Sequence, residues 1–373
     1  MVRKHFPMPL ITRLTIVMLF WILLFVIFQQ LRMFLYPLFL GILFAYLFYP
    51  MASTIERTGV PRILANILSI IVGITVLYGI LIFIYRRLQE FMIDLPVLEE
   101  QAIHNIKELL AGIERRLGFR TDPEQSQLVR LTRELFNLSS EGLKGTITAT
   151  FNTLFSVFIM PVYIFFFLYY RNKFKEFILK LIPDKEHPRA EAIIEEINMV
   201  TMKYMTGIFI VVLILCVLNS VGLKIVGLKY ALLWGVIAAV ANFIPYFGTV
   251  IGYSFPFLVA LLTGDSPNLA LGVIVLFIIV QFTENNILTP NIVGGLVRIN
   301  PFFIILGVLF GGIIWGIPGM FIVVPFMGMA KIVFDRVPGL EHWGYLLGDQ
   351  GTEKHALNIQ NIRNFFRSAK KSQ

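Results

Sequence analysis

Long stretches without a single charged residue constrain this chain more than any other feature. A membrane-crossing helix needs about 20 consecutive apolar residues, and uncharged runs of this order cover residues 14–31, 33–55, 63–85, 145–170, 204–223 and 266–283. Two more uncharged runs, 231–263 and 301–330, are longer than one simple helix requires. The sequence therefore predicts an all-α, polytopic membrane protein with about eight transmembrane helices, some of them broken or re-entrant.

Composition and charge placement support this fold class. Apolar residues make up 57% of the chain and charged residues 15%, whereas soluble domains carry about 25% charged residues. The formal net charge of +9 does not predict nucleic-acid binding, because short basic loops hold the cytoplasmic side of membrane proteins. Those loops are the N-terminus, the 56–62 turn, the 171–203 loop and the 354–371 tail, so both termini are expected in the cytoplasm. Membrane lipid is the expected surrounding.

The chain divides into four predicted parts. Residues 1–85 form transmembrane helices 1–3, and residues 86–144 form a soluble helical insertion whose apolar residues recur at helical spacing. Residues 145–335 hold the C-terminal transmembrane helices with broken or re-entrant segments, and residues 336–373 form a cytoplasmic tail. Counting crossings places the insertion outside. Pro188 opens a helix that is predicted to run directly into the fifth span.

The sequence gives no sign of an enzyme. The chain contains no phosphate-binding loop of the Walker A type, no GxSxG elbow and no HExxH motif. Its five histidines are scattered along the sequence. The single cysteine, Cys216, lies inside an apolar run, which argues against a disulfide framework or a thiol metal site. Neither a cofactor nor a metal is expected.

Glu284 is the first candidate for a functional residue. It stands near the end of an apolar run beside Gln281, Asn285 and Asn286. An ionisable residue at membrane depth is expensive unless it faces a polar interior, so it marks a functional site by default. The alternative is that Glu284 lies at the water interface, because Pro290 breaks the helix soon afterwards.

The second candidate is the string NFIPYFG at residues 242–248, which contains Asn242, Pro245 and Gly248. Proline leaves a backbone carbonyl unpaired, and such backbone survives in a membrane only when it is buried in protein or lines a wet cavity. Broken helices of this kind form the sites of many secondary transporters, although a structural kink is the alternative. Each of the two long runs predicts a kinked helix, a broken helix or a hairpin.

We expect the 242–248 and 284–290 segments to meet inside the protein and form one polar site. The predicted substrate- or ion-binding residues are Glu284, Asn285, Asn286, Gln281, Asn242, Pro245 and Gly248. The predicted structural hinges are Pro256, Pro290, Gly311, Gly319 and Pro325.

Three strings together resemble a known family. NFIPYFG at 242–248, ENNILTPNIVG at 284–294 and GGIIWGIPGMFIVVP at 311–325 are similar to the AI-2E family of transporters, also called the PerM-like family. The resemblance covers essentially the whole chain. It implies an eight-helix secondary carrier of the bacterial cytoplasmic (inner) membrane that forms a homo-oligomer. Some members are linked to export of the signal autoinducer-2, and others to Na⁺(Li⁺)/H⁺ antiport.

The chain departs from the family pattern at three positions. Arg171 replaces a frequent acidic residue, Ile208 a frequent glutamine, and Asn300 the usual histidine before Pro301. A proton-coupling role for that histidine is therefore not carried over to this chain.

Three functions remain open on the sequence. The first is export of a small polar solute, such as autoinducer-2, by ion-coupled alternating access with H⁺ or Na⁺ as the coupling ion. The second is Na⁺(Li⁺)/H⁺ antiport with Glu284 as the exchanging carboxylate. The third is a non-transporting membrane scaffold whose external helical insertion is the working part.

Overall fold

The computed structural model describes residues 9–117, 127–134, 136–137, 159–264, 266–295 and 298–350. Helix bounds are α1 Leu10–Gln30, α2 Arg32–Arg57, α3 Arg62–Leu117, α4 Ile159–Tyr169, α5 Arg171–Lys180, α6 His187–Val226, α7 Ala231–Ala241, α8 Phe247–Thr263, α9 Pro267–Thr283, α10 Pro301–Trp315, α11 Ile317–Arg336 and α12 Glu341–Leu347. A π-helical segment, Glu284–Val293, follows α9 directly. Six of the described helices are long and apolar enough to cross a membrane. The predicted all-α, polytopic membrane fold is confirmed.

The third span and the start of the insertion form one helix. α3 contains 56 residues, which gives a length of about 84 Å at 1.5 Å per residue. It therefore extends far beyond a hydrocarbon core of about 30 Å. We call the side on which α3 continues past Tyr85 the insertion side. The predicted boundary between residues 85 and 86 thus falls inside a helix, and most of the rest of the insertion lies outside the described residues.

The opposite side carries the charged turns. Glu56 pairs with Arg171 at 2.5 Å and with Arg62 at 3.3 Å, which ties the turn between α2 and α3 to the start of α5. We call this the basic side. α6 begins here at His187, with Pro188 in its first turn, and continues as one helix to Val226. The prediction that the Pro188 helix runs into the fifth span is confirmed.

The first long run, 231–263, is a helical hairpin. α7 and α8 lie antiparallel on either side of the turn at residues 242–246, and Gly252 of α8 packs directly against Ala238 of α7. With 11 residues, α7 spans only about 16 Å and is too short to cross a bilayer. Pro256 lies inside α8 without interrupting it, so the chain breaks at the 242–246 turn.

Both ends of this hairpin lie on the insertion side. The Lys229 ammonium pairs with Asp94 of α3 at 3.1 Å, just before α7 begins. At the other end, Asn105 Nδ2 donates to the carbonyl oxygens of Leu262 and Gly264 at 3.1 and 3.0 Å. The hairpin therefore enters the transmembrane region and returns to the side it came from, so that its tip lies in the protein interior.

Asp94 gives this attachment a pH dependence. Hydrogen bonds from Tyr230 and Lys229 lower the pKa of the Asp94 carboxyl. A carboxyl with a lowered folded-state pKa stabilises the protein above its ordinary pKa, and this contribution is lost as the pH falls through the lowered value.

We expect Asp94→Asn to lower the thermal midpoint slightly at pH 7, with the difference from wild type shrinking on acidification. Glu90→Gln, which removes an exposed pair with Arg87 on the same helix, is the control. A difference between Asp94→Asn and wild type that grows on acidification would contradict the assignment.

The second long run, 301–330, is also a hairpin, but it reaches across the protein. α10 and α11 pack antiparallel about a turn at Gly316, where φ is +66°. The indole N–H of Trp315, at the tip, donates to the Phe28 carbonyl at 2.9 Å, beside the turn between α1 and α2. The far end of α11 pairs with the basic side through Arg336 and Glu196 at 2.9 Å. This run therefore crosses twice, whereas 231–263 re-enters.

The predicted tail from residue 336 begins as a structured element. α12 packs against α11, and the backbone N–H of Asn300 donates to the Leu347 carbonyl at 2.8 Å. Residues 351–373 lie outside the described residues.

Candidate functional site

The packing of α9 against α6 sets the depth of Glu284. The two helices are antiparallel: Gly272 lies against Val226, Leu276 against Gly222, and Val293 against Gly207. Interpolating between these contacts at a rise of 1.5 Å per residue places Glu284 opposite about position 215 of α6. This is the middle of the apolar run 204–223, so the packing favours a Glu284 inside the apolar layer over one at the water interface.

The Glu284 carboxylate is buried and hydrogen-bonded by two amides. It is 7% exposed, Asn242 Nδ2 donates to its Oε1 at 2.5 Å, and Gln281 Nε2 donates to its Oε2 at 3.3 Å. Asn242 comes from the tip of the α7–α8 hairpin, whereas Gln281 lies one turn earlier on α9. The two predicted segments therefore meet, and their binding role stays a prediction.

The hairpin turn brings Asn242 to this position. The backbone N–H groups of Asn242, Phe243 and Ile244 donate to carbonyls three residues earlier, which closes the end of α7. The chain then reverses through Tyr246, a non-glycine residue with φ of +64°. A Cβ on Gly248 would lie 1.8 Å from the Ala241 carbonyl oxygen, so only glycine permits the return helix to begin this close to α7.

Glu284 also begins the π-helical segment. Segments of this kind occur frequently at functional sites. Two asparagine side chains add hydrogen bonds along this segment: Asn286 Nδ2 donates to the Phe282 carbonyl at 2.9 Å, and Asn291 Nδ2 to the Ile287 carbonyl at 2.7 Å. Asn286 is therefore occupied on its own helix rather than at the carboxylate.

The other predicted site residues divide into two groups. Asn285 is exposed but accepts a hydrogen bond from Gln281 at 3.1 Å, and the Pro245 carbonyl shapes the turn by accepting from Phe247.

Among the predicted hinges, Pro290 lies within the π-helical segment, and Pro325 is buried inside an unbroken α11. Gly311 and Gly319 pack backbone to backbone across the second hairpin, where they are packing positions, while the turn itself falls at Gly316.

Sequence reasoning missed two sets of residues near the site. Tyr253 of α8 stacks on Phe277 with ring centroids 3.9 Å apart and lies within electrostatic range of the Glu284 carboxylate. Asn219 and Ser220 are buried in α6, one turn from the level of Glu284. A polar pair inside an otherwise apolar run was the available signal for Asn219 and Ser220.

Comparison with known proteins identifies the family to which this architecture belongs. The model of the AI-2E family transporters matches residues 15–339, a span that holds both hairpins, α9 and the Glu284 contact. The chain belongs to the AI-2E transporter family. The resemblance seen in the three sequence strings is confirmed.

Individual relatives align with this chain over most of their length. YrrI of Bacillus subtilis (strain 168) is 28% identical over 304 residues, which cover 80% of this transporter and 84% of YrrI. A protein of Methanothermobacter thermautotrophicus is 28% identical over 302 residues, covering 79% and 85% of the two chains. The AI-2 transport protein TqsA of Escherichia coli (strain K12) is 24% identical over 323 residues, covering 85% and 90%.

Proposed function

We propose that this AI-2E family transporter is a secondary carrier that exports a small polar solute and uses Glu284 to couple export to an ion gradient. The observation that carries the proposal is the hydrogen bond between Asn242 and Glu284. It joins the tip of a re-entrant hairpin to a buried ionisable group in an apolar run, where an uncompensated charge is expensive.

The two-amide environment suits a group that changes its charge. As a carboxylate, Glu284 accepts from Asn242 and Gln281; as a carboxylic acid, it donates one hydrogen bond and accepts another. The Asn242 amide can reverse to present its oxygen to the protonated form. Both states of Glu284 are then paired, so binding and release of a proton at this depth leaves no buried group unsatisfied.

The hairpin supplies the moving part in this mechanism. Its ends are fixed to α3 on the insertion side. Its tip packs against α11 through Phe243 and Phe321 and is hydrogen-bonded to Glu284 through Asn242. Protonation of Glu284 weakens this hydrogen bond, because a charged acceptor makes the stronger hydrogen bond. The tip then shifts on its packing, and the site opens toward one side of the membrane.

The relative TqsA is named an AI-2 transport protein, which supports autoinducer-2 or a similar hydroxylated molecule as the solute. Flux measured in proteoliposomes, with H⁺ gradient, Na⁺ gradient and autoinducer-2 varied separately, tests the proposal. Gradient-dependent movement of autoinducer-2 is expected. Na⁺ or Li⁺ exchange for H⁺ without solute movement would favour antiport instead, and no flux of any kind would favour a scaffold.

We also propose a homo-oligomer. α1 has no buried residue in the single chain, so its apolar surface is available to a second copy as well as to lipid. Native mass spectrometry in mild detergent gives the copy number directly, and a monomer under those conditions would contradict the proposal.

The proposed orientation places the basic side in the bacterial cytoplasm and the insertion side outside. Single cysteines introduced at Lys185 and Glu108, in a Cys216→Ser background, test it in intact cells with an impermeant maleimide. We expect position 108 to react from outside, and position 185 only after the membrane is opened, because basic residues cluster around 185. Labelling of position 185 in intact cells would show that the basic side faces outward and would contradict the proposed orientation.

A further inference from the structure

Asn219 is a buried amide with no hydrogen-bond partner among the described residues. Its side chain is 0% exposed, and neither Oδ1 nor Nδ2 is paired within the described part of the chain. The neighbouring Ser220 is 5% exposed, and its Oγ is likewise unpaired there. Burying an amide without a partner costs roughly 2–7 kcal/mol, and buried polar groups in folded proteins are nearly always satisfied. A hydrogen-bonding molecule beside these two residues would remove this cost.

The helix contacts place Asn219 between α7 and α9. Ser220 lies against Gly235 of α7, and Gly222 lies against Leu276 of α9. Position 219 falls on the α6 surface between these two contacts. The same three helices enclose Leu215, Ala239 and Val280 in one buried cluster, directly beside the level at which Asn242 and Glu284 meet.

Along the helix axis, Asn219 follows Glu284 toward the insertion side. Position 219 is four residues beyond the level of Glu284, or about 6 Å. Gln281 lies between these levels, and its Oε1 is also buried and unpaired within the described chain. Polar groups with free hydrogen-bonding capacity among the described residues thus occur at two successive levels, within about 6 Å of the level of Glu284 on its insertion side.

We infer that Asn219 and Ser220 form a second binding position for the transported molecule, between Glu284 and the insertion side, and that its ligand is an uncharged hydroxylated solute. An amide and a hydroxyl each donate and accept. A bare cation would satisfy their oxygens but leave the Asn219 N–H groups unpaired, whereas a hydroxylated molecule satisfies both. The inference rests on the proposed function and names the class of substrate.

A matched pair of substitutions tests the inference. Asn66 of α3 is also 0% exposed with both amide atoms unpaired within the described residues, but Ile70, one turn further along α3, packs in a cluster with residues of α2 and α4 rather than of α6, α7 and α9. We expect Asn219→Leu to reduce autoinducer-2 flux into proteoliposomes by at least about tenfold, and Asn66→Leu to change it by less than about twofold. Both variants should keep or raise the thermal midpoint, because an apolar side chain replaces an unpaired amide. Ser220→Ala, a smaller change, should give an intermediate loss of flux.

The outcomes separate this inference from the proposed function. Wild-type protein that moves no autoinducer-2 would overturn the proposed export, together with the inference that rests on it. Wild-type flux that Asn219→Leu leaves unchanged would overturn the second binding position alone. Equal losses in Asn219→Leu and Asn66→Leu would also overturn it, since they would reflect general effects of removing a buried amide.

Discussion

Glu284→Gln is expected to reduce gradient-driven flux to the level of empty liposomes while the protein stays folded. Glutamine preserves the size of the side chain and can still accept the hydrogen bond from Asn242, so the contact between the hairpin tip and α9 persists. What disappears is the ability to change charge. The measurement is flux under a pH gradient, combined with size-exclusion chromatography and thermal unfolding of the same preparation.

Glu195→Gln is the matched control for this substitution. Glu195 lies on the basic-side part of α6, its side chain is 68% exposed, and it approaches Lys175 at 3.5 Å. Exposed ion pairs contribute about 0–1 kcal/mol, so this variant should retain wild-type flux. If Glu284→Gln transports as well as Glu195→Gln, Glu284 has no coupling role, even though it contacts Asn242.

Gly248→Ala is expected to lower both stability and transport. The added methyl group would lie 1.8 Å from the Ala241 carbonyl oxygen and 3.0 Å from the Asn242 Cα, so the backbone of the turn must move. Forcing extra atoms into packed structure costs about 1–3 kcal/mol. The shift also moves Asn242 away from Glu284. We therefore expect flux per folded protein to fall, in addition to any flux that is lost because less protein is folded.

Gly79→Ala provides the comparison for Gly248→Ala. Gly79 lies within α3, and a Cβ there would meet nothing within 4 Å among the described residues. Alanine is a better helix former than glycine by about 1 kcal/mol, so this variant should be at least as stable as wild type. Thermal unfolding of the two variants side by side measures the difference. A Gly248→Ala protein with the stability and flux of Gly79→Ala would show that the turn tolerates rearrangement.

The apolar runs predicted the membrane fold because hydrocarbon thickness sets a length that a sequence displays directly. They could not separate a double crossing from a hairpin that returns. Runs 231–263 and 301–330 both contain prolines and glycines near their centres, yet only the second carries its tip to the side opposite its ends. The distinction depends on α7 being short, and on Asn105 and Asp94 of α3 holding the hairpin ends, which are contacts between distant parts of the chain.

The site was partly predictable for the same reason. An acidic residue and a proline-broken segment in apolar runs each need a partner that lipid lacks, so their meeting followed from the residues themselves. The depth of Glu284 did not, because it depends on the register of α9 against α6 through contacts such as that of Gly222 with Leu276. Asn219 was visible as a polar residue in an apolar run, but that it is unpaired among the described residues depends on how three helices pack.

The length of α3 gives the hairpin a mechanical connection to its surroundings. The part of α3 beyond Tyr85 extends for 32 further residues, or about 48 Å, and two side chains on it hold the ends of the hairpin. A rod of this length that tilts by about 5° displaces its far end by about 4 Å, which is comparable to the rise of one helical turn. Because Asp94 and Asn105 hold both ends of the hairpin, a tilt of this part of α3 would carry the base of the hairpin with it.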